Sequence, residues 1–443
     1  MTRSATRARP GTGAAGLLLP VAERLFGGEP PVRIRAWDGS EAGPADAPAL
    51  VLRTPQALRR MMWHPGELGI AQAYVTGELD VDGDLAEALR AVWDASRRAG
   101  LTDRSDSGGT GVTGGGTCVA GGRAGRRGPA RLPVSAWAAA ARAALQLGIG
   151  GPPPKPPAAQ ARVSGRLHSK RRDQAVIAHH YDVPAAFYQL ILDPSMAYSA
   201  ADWARAGGGY PLADAQRDKL DGICAKLALR PGTQLLDVGC GWGSLTVHAA
   251  RAYGARVTAV TLSREQAAFT ARRVTESGLE SLVDVQVSDY RDITVGDHDA
   301  VAAIEMGEHV GAGQYPAFCA LLASQLRPGG RLLIQQMSRA GRAPGGGAFI
   351  EAYIAPDMHM RPVGQTVSLL EDAGLEVIGV RAMRLQYART IRAWLANLER
   401  RSEEVTAIVG PQSARVWRLY LAGGALAFED GRMGVHQILA IRS

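Results

Sequence analysis

The residues best suited to chemistry lie in the second half of a 443-residue chain. Gln234 to Ser244 read QLLDVGCGWGS, an apolar strand ending in Asp237 followed by Gly239, Gly241 and Gly243 at alternate positions. Glycines so placed allow a tight turn and close approach of a ligand to the backbone at a strand's carboxyl end. A dinucleotide turn would need G-x-G-x-x-G and usually an acid closing the next strand. Here the spacing is D-x-G-x-G-x-G, and the next strand ends in Thr261 within VTAVTLSREQ. Further along, Glu308 stands just past an apolar run, AVAAI. Active-site groups of doubly wound sheets collect at such positions, which makes Glu308 the leading acid/base candidate, with a structural salt bridge as its alternative. His180 and Tyr181 are weaker pocket candidates. No H-x-x-x-H, H-E-x-x-H or clustered cysteine pattern calls for a metal, and neither G-x-S-x-G nor a phosphate-cradling G-x-x-x-x-G-K-[ST] is present.

The D-x-G-x-G-x-G turn resembles the nucleoside-binding turn of class I methyltransferases, which implies S-adenosylmethionine as cofactor. Gln266 suits a hydrogen bond to the ribose or methionine end, and Asp289 with Tyr290 suits an adenine amino group and ring face.

A broader resemblance follows from HHYDVPAAFYQLILDPSMAYS (179–199), the glycine turn, VTLSREQ, SDYRD, EMGEHVG (305–311), FIEAYIAPD (349–357) and YARTIRAW (387–394). In order and content these are similar to the cyclopropane-fatty-acyl-phospholipid synthase family, which includes the mycolic acid cyclopropane synthases. LGIAQAYVTGELDVDGDL (68–85) more weakly resembles the N-terminal domain of the bacterial phospholipid synthases. The resemblance implies cofactor contacts from Tyr198, Ser199, the turn from Leu235 to Gly243 including Cys240, the segment Thr261–Leu262 through Gln266, and Asp289 with Tyr290. It also implies a bicarbonate ion beside the reacting carbon, held by a cysteine backbone, a glutamate, a histidine, an isoleucine and a tyrosine. Glu308 and Tyr387 match that set, while Ala200, Gln335 and Met337 fall at the other three positions. Gln335 can hydrogen-bond but carries no proton or charge at neutral pH, unlike a histidine.

The implied reaction is transfer of a one-carbon unit to the double bond of an unsaturated phospholipid acyl chain. An alkene is a poor nucleophile, so the π bond, the methyl carbon and the departing sulfur must be aligned in a dry pocket. The product of that step is a carbocation, which the faces of Tyr181, Phe187, Tyr188, Tyr387 or Trp394 could shelter. Loss of a proton from the new methyl closes a cyclopropane; loss elsewhere gives a methylene or methyl-branched chain, the latter with a separate reductase as partner. A methyltransferase for another acceptor, and a non-catalytic lipid-binding protein, are the rival readings.

Positioning these residues requires a sheet. QLLDVG, RVTAVTL, VDVQVSD, HDAVAAIEM and RLLIQQM are strand candidates separated by helical stretches, which predicts an α/β, Rossmann-like doubly wound sheet over residues 166–443. Residues 15–98 read as a small α+β domain, from VRIRAW, ALVLRT and helical patterns at Pro55 to Met62 and Leu85 to Trp93. Residues 99–165 read as a flexible Gly-, Pro- and Arg-rich linker containing one helical patch, VSAWAAAARAALQLGI. Four scattered cysteines suggest free thiols, and no apolar run is long enough to span a bilayer. The net charge of +8 favours an anionic partner. No nucleic-acid module is present, so the expected partner is an anionic membrane surface bound peripherally from the cytoplasm, with RVSGRLHSKRR (162–172) as one candidate contact and a solvated connector as its alternative. A homodimer is compatible with this reading.

Overall fold

The computed structural model describes residues 13–101, 134–161, 165, 167, 169–170, 172–173, 183–203, 209–294, 296–340 and 345–443. His180 and Tyr181 lie outside the described residues. The chain forms two compact units, Met1–Pro157 and Ala158–Ser443.

The first unit contains α1 (Ala14–Phe26), β1 (Arg33–Arg35), β2 (Glu41–Ala42), β3 (Ala49–Leu52), α2 (Gln56–Trp63), α3 (Glu67–Val75), β4 (Leu79–Asp82), α4 (Leu85–Arg98) and α5 (Val134–Gln146). Its sheet has the order β2-β1-β3-β4, with β1 parallel to β3. Local sequence explains α4: the Asp84 side chain accepts from the Glu87 backbone N–H at 2.9 Å, and Arg97 and Arg98 face the negative end of the helix. The helical patch expected within a linker is α5, and it packs on α1 inside this unit. The segment after it is also tied down, because the buried Arg60 pairs with Glu78 at 2.8 Å and donates to the Lys155 carbonyl at 2.9 Å.

The second unit carries, in order, α6 (Ala185–Ile191), α7 (Leu212–Lys226), β5 (Gln234–Val238), α8 (Ser244–Tyr253), β6 (Arg256–Thr261), α9 (Arg264–Glu276), β7 (Val283–Val287), β8 (His298–Ile304) and α10 (Tyr315–Ser324). It continues with β9 (Leu326–Ser338), α11 (Ala348–Tyr353), α12 (Val363–Asp372), β10 (Leu375–Ala382), α13 (Arg384–Arg400), α14 (Ser402–Glu429) and β11 (Gly434–Arg442). The helical run of α14 is broken at Gly410, whose φ is 78°, next to Pro411. All five strands expected in this half form, in a seven-stranded sheet of order β10-β11-β9-β8-β5-β6-β7. Strands β9 to β7 run parallel, and β11 is antiparallel to both β9 and β10.

Alternation along these strands builds a core on each face. Leu235, Val257, Ala259, Ala300, Ala302 and Leu333 pack with residues of α7 and α8 on one side. Leu236, Val238, Val260, Val301, Ile334 and Ile438 pack with residues of α10 and α12 on the other. Burial on both faces is why these strands read as apolar runs rather than alternating ones, and each large aliphatic side chain contributes about 1.5–3 kcal/mol. The strand order reverses between β5 and β8, so the crevice at their carboxyl ends is where a ligand belongs. The glycine turn opens there. Gly243 caps α8 with φ of 77°, and a Cβ on it would lie 2.5 Å from Thr270 Cγ2.

Substituting Gly243→Ala therefore combines left-handed strain with a clash, and the expected loss is about 2 kcal/mol or more in denaturant unfolding. Adding Thr270→Ser, which removes the clashing methyl, should restore part of it. Equal stability of Gly243→Ala and the parent would show that the turn tolerates a side chain.

Candidate active site

A cavity opens at the switch point, and most of the residues expected to hold a cofactor line it: Tyr198, Ser199, Asp237, Gly239, Cys240 and Gly241, then Thr261, Leu262, Gln266 and Tyr290. Gly239 and Gly241 have φ of 80° and 54°, and a Cβ on Gly241 would meet nothing within 4 Å, so backbone faces open space where a ligand can approach. The Thr261 hydroxyl donates to Gln266 Oε1 at 2.9 Å, while Ser263 caps α9 by accepting from the Gln266 N–H. With Oε1 accepting from Thr261, the Gln266 side chain lines the cavity.

Gly243 and Asp289 do not line the cavity. Gly243 instead accommodates Thr270. Burial raises the affinity of Asp289 for a proton, but three hydrogen bonds from Arg291, two of them at 2.8 and 2.6 Å from its guanidinium, outweigh burial and hold the carboxylate ionised. Arg291 also reaches Asp173 at 3.0 Å. Ser288, Tyr290 and Arg291 take the cavity-facing places at this end. Asp173 follows the basic stretch, in which Lys170 pairs with Asp292 and Arg172 with Asp357 at 2.5 Å. Those two charges are committed within the unit.

The strand-end carboxylate facing the cavity is Glu305, three residues before the one expected. Glu305 follows β8 directly and adopts φ of 52°, a left-handed conformation that costs an L-residue about 1–2 kcal/mol. That backbone turn directs its carboxylate into the cavity and onto three donors. Oε1 accepts from the Ala200 backbone N–H at 2.8 Å and from Gln335 Nε2 at 2.9 Å, and Oε2 accepts from the Tyr387 hydroxyl at 2.8 Å. Burial pushes its pKa upward, and the three hydrogen bonds limit the rise.

Glu308 is close enough to feel the charge of Glu305 but is held differently. It is 1% exposed, does not line the cavity, and accepts from the Met337 backbone N–H, leaving Oε2 without a hydrogen bond. Burial, reinforced by the charge of Glu305, pushes its pKa up to about 8. The short 3-10 turn Gly307–His309 rotates it away from the strand's carboxyl end. Its neighbour His309 does line the cavity, and burial pushes its pKa down to about 4, so the ring is neutral.

The groups that the family resemblance assigned to bicarbonate are thus in use. Ala200 N–H, Gln335 and Tyr387 converge on Glu305, and the Met337 N–H is taken by Glu308. A second anion at that place would have to take these donors from the Glu305 side chain, so bicarbonate does not fit here.

The orientation of Gln335 is fixed by a relay. Lys226 donates to Gln437 Oε1, Gln437 Nε2 donates to Gln335 Oε1 at 2.9 Å, and Gln335 Nε2 therefore faces Glu305. An ammonium only donates, so the direction of every bond in the chain is set at Lys226. Aromatic rings pack around Tyr198 and Tyr387. Tyr198 stacks 5.2 Å from Trp394, Tyr387 lies 4.7 Å from Phe428, and Tyr198 and Tyr420 bring their hydroxyls within 3.5 Å. Phe187 and Tyr188 are fully buried and pack on Trp417. Sequence reasoning missed Glu305 although it closes the apolar strand VAAIE, and missed Tyr420, whose place depends on the fold of α14.

The sheet order, the glycine turn and the polar residues at the switch point define a class I S-adenosylmethionine-dependent methyltransferase. Residues 168–438 match the family model described as mycolic acid cyclopropane synthetase, and the chain belongs to that family. It is 36% identical over 420 residues to a probable fatty acid methyltransferase of Pseudomonas putida, covering 93% of this chain and 92% of that one. A probable fatty acid methyltransferase of Mycobacterium tuberculosis is 37% identical over 429 residues, covering 94% and 92%. Among solved structures, a mycolic acid cyclopropane synthase, CmaA1, complexed with SAH and CTAB, superposes with a TM-score of 0.57 at 28% identity, covering 61% of this chain and 98% of that one.

Two outcomes separate the carboxylates. Glu305→Gln should lower kcat by at least about 100-fold, the usual scale for loss of a general base, while Glu308→Gln should stay within about threefold of the parent. Glu308 also has a stability signature: its folded pKa lies above that of an unfolded carboxylate, so its contribution is present at low pH and is lost as pH rises. Glu308→Gln should gain stability over the parent as pH climbs from about 5 to 8, measured by thermal unfolding. For the relay, Gln437→Glu offers Gln335 only acceptors, turns its carbonyl toward Glu305 and raises the pKa there. The acid limb of the kcat–pH profile should move to higher pH, and an unmoved limb would remove the relay from the site.

Proposed function

We propose that the protein methylates a carbon of the double bond in an unsaturated fatty acyl chain, with Glu305 as the proton acceptor, and that the product is a methylene- or methyl-branched chain. The observation that carries this is the Glu305 carboxylate, fixed at the cavity by three donors where the reacting carbon must lose a proton. S-adenosylmethionine supplies an electrophilic methyl group when bound. Tyr198, Trp394 and Tyr387 face one another beside Glu305 and offer ring surfaces to a transient carbocation on the acyl chain.

The alkene's π pair becomes the new carbon–carbon bond while the methyl–sulfur bond breaks with its pair left on sulfur. The positive charge then sits on the neighbouring acyl carbon. If a proton of the new methyl passes to Glu305 at that stage, the released pair closes a cyclopropane. If a hydride first shifts between the two acyl carbons, the charge moves to the methyl-bearing carbon and the same proton loss gives an exocyclic methylene. A methyl-branched product then requires a separate reductase. The two near-full-length relatives are both named fatty acid methyltransferases, which supports the second course over the ring closure that the family resemblance put first.

The acyl chain is taken as part of a phospholipid, met at an anionic membrane surface. In support, Met62, Trp63 and Ile70 are exposed on the first unit of a chain with net charge +8. Among the described residues no helix is long and apolar enough to cross a membrane.

The test is mass spectrometry and NMR of acyl chains after the purified protein meets S-adenosylmethionine and vesicles of monounsaturated phospholipid. An exocyclic methylene one CH2 heavier than the substrate is expected. A cyclopropane signal would move the assignment to ring closure, and an unmodified lipid pool would send the search to other acceptors.

A further inference from the structure

A second groove, of about 770 Å³, lies in the same unit and shares only Met196 with the cavity at the switch point. Helix α6, the loop that follows it, helix α9 and the end of α13 form its walls. That volume suits an organic ligand rather than a bare ion. Three guanidiniums line it: Arg272 and Arg273 from α9, and Arg401 from the junction of α13 and α14. Among the described residues none of the three lies within ion-pair distance of a carboxylate.

Arg273 is the most constrained. Its Nη1 donates to the Ser195 and Trp242 carbonyls, both at 2.9 Å, which uses both protons of that nitrogen and fixes the plane of the group. Its Nε and Nη2 have no acceptor among the described residues, and that edge is the fork that meets two oxygens of an oxyanion side by side. Arg401 gives one donor to the Leu190 carbonyl at 3.3 Å, and Arg272 stands over the Phe269 ring at 5.5 Å without a hydrogen bond. Leu190, Leu192 and Phe269 supply an apolar wall beside them.

Two carboxylates also line the groove, Asp193 and Glu276, and both act on Arg273 through space. Asp193 is buried and accepts from the Ser195 and Ala197 N–H groups at 2.8 and 3.2 Å. Three cations against two anions leave one positive charge over. Forks that arrive from two helices are better met by a tetrahedral anion, with oxygens in several directions, than by a planar carboxylate.

We propose that this groove binds a phosphate group, on a lipid headgroup or free in solution, with its oxygens on Arg273, Arg272 and Arg401. The apolar wall favours the lipid source. The assignment stands apart from the reaction proposed for the other cavity.

The experiment is isothermal titration of the full chain with dihexanoylphosphatidic acid, inorganic phosphate and dihexanoylglycerol, none of which offers an alkene to methylate. The parent should bind the phosphatidic acid at least about 10-fold more tightly than dihexanoylglycerol, the scale of one charge-assisted contact. Arg272→Gln combined with Arg401→Gln should remove most of that difference by weakening the phosphatidic acid alone. Glu276→Gln, which takes away a repelling charge, should tighten it. Inorganic phosphate bound as tightly as the phosphatidic acid would assign the site to free phosphate, and weaker inorganic phosphate would assign it to lipid. A parent that binds neither phosphate probe better than dihexanoylglycerol would overturn the proposal. Equal weakening of phosphatidic acid and dihexanoylglycerol in the double variant would do the same, because it would make the arginines structural. Should the double variant fail to fold by circular dichroism, either single substitution should still weaken the phosphatidic acid, and two unmoved single variants would count equally against the assignment.

Discussion

The site is organised by one carboxyl group buried where a protein ordinarily avoids one. Glu305 stands at the end of a buried strand in a left-handed conformation, and its two oxygens are satisfied by a backbone N–H, an amide and a phenol. Each donor comes from a different part of the second unit: the loop after Tyr198, strand β9 and helix α13. The strain at Glu305 is offset only if all three arrive together, so the geometry of the site and the packing of these elements are one constraint.

Other features follow from it. Gln335 must present its NH2 group, and the direction of the Lys226–Gln437–Gln335 chain ensures that it does. Glu308, close enough to feel the charge of Glu305, is displaced toward its neutral form and serves the β9 backbone rather than the reacting centre. Lys219 places a positive charge in the same cavity, between Glu305 and the end of β5, without quenching the carboxylate through an ion pair. The result is a carboxylate that stays anchored in a buried site.

Much of this was legible in the sequence, for physical reasons that can be named. The sheet was legible because strands buried on both faces must be largely apolar, as LLDV, VTAV and AVAAI are. The nucleoside end was legible because a turn that brings backbone to a ligand requires glycine at particular positions. Asp289 misled because an exposed-looking acid after a strand can be claimed by an arginine two residues on, which spacing alone does not reveal. Glu305 and Glu308 were exchanged for a similar reason: both follow AVAAI, and only a positive φ and a 3-10 turn decide which one enters the cavity. Helix α5 was read as part of a linker because its alanine-rich pattern has no partner in sequence; its partner, α1, lies more than a hundred residues earlier.

With Glu305 as the proposed base, the chain supplies its own anion at the reacting centre. The direct measurement is turnover of the parent and of Glu305→Gly in bicarbonate-free buffer and with bicarbonate added. Glycine suits the left-handed backbone at that position and leaves the three donors in place with no carboxylate between them. The parent should be indifferent to bicarbonate, and the Glu305→Gly variant should be inactive without it and partly restored by it. A parent that requires bicarbonate, or a variant that keeps its activity in bicarbonate-free buffer, would contradict it.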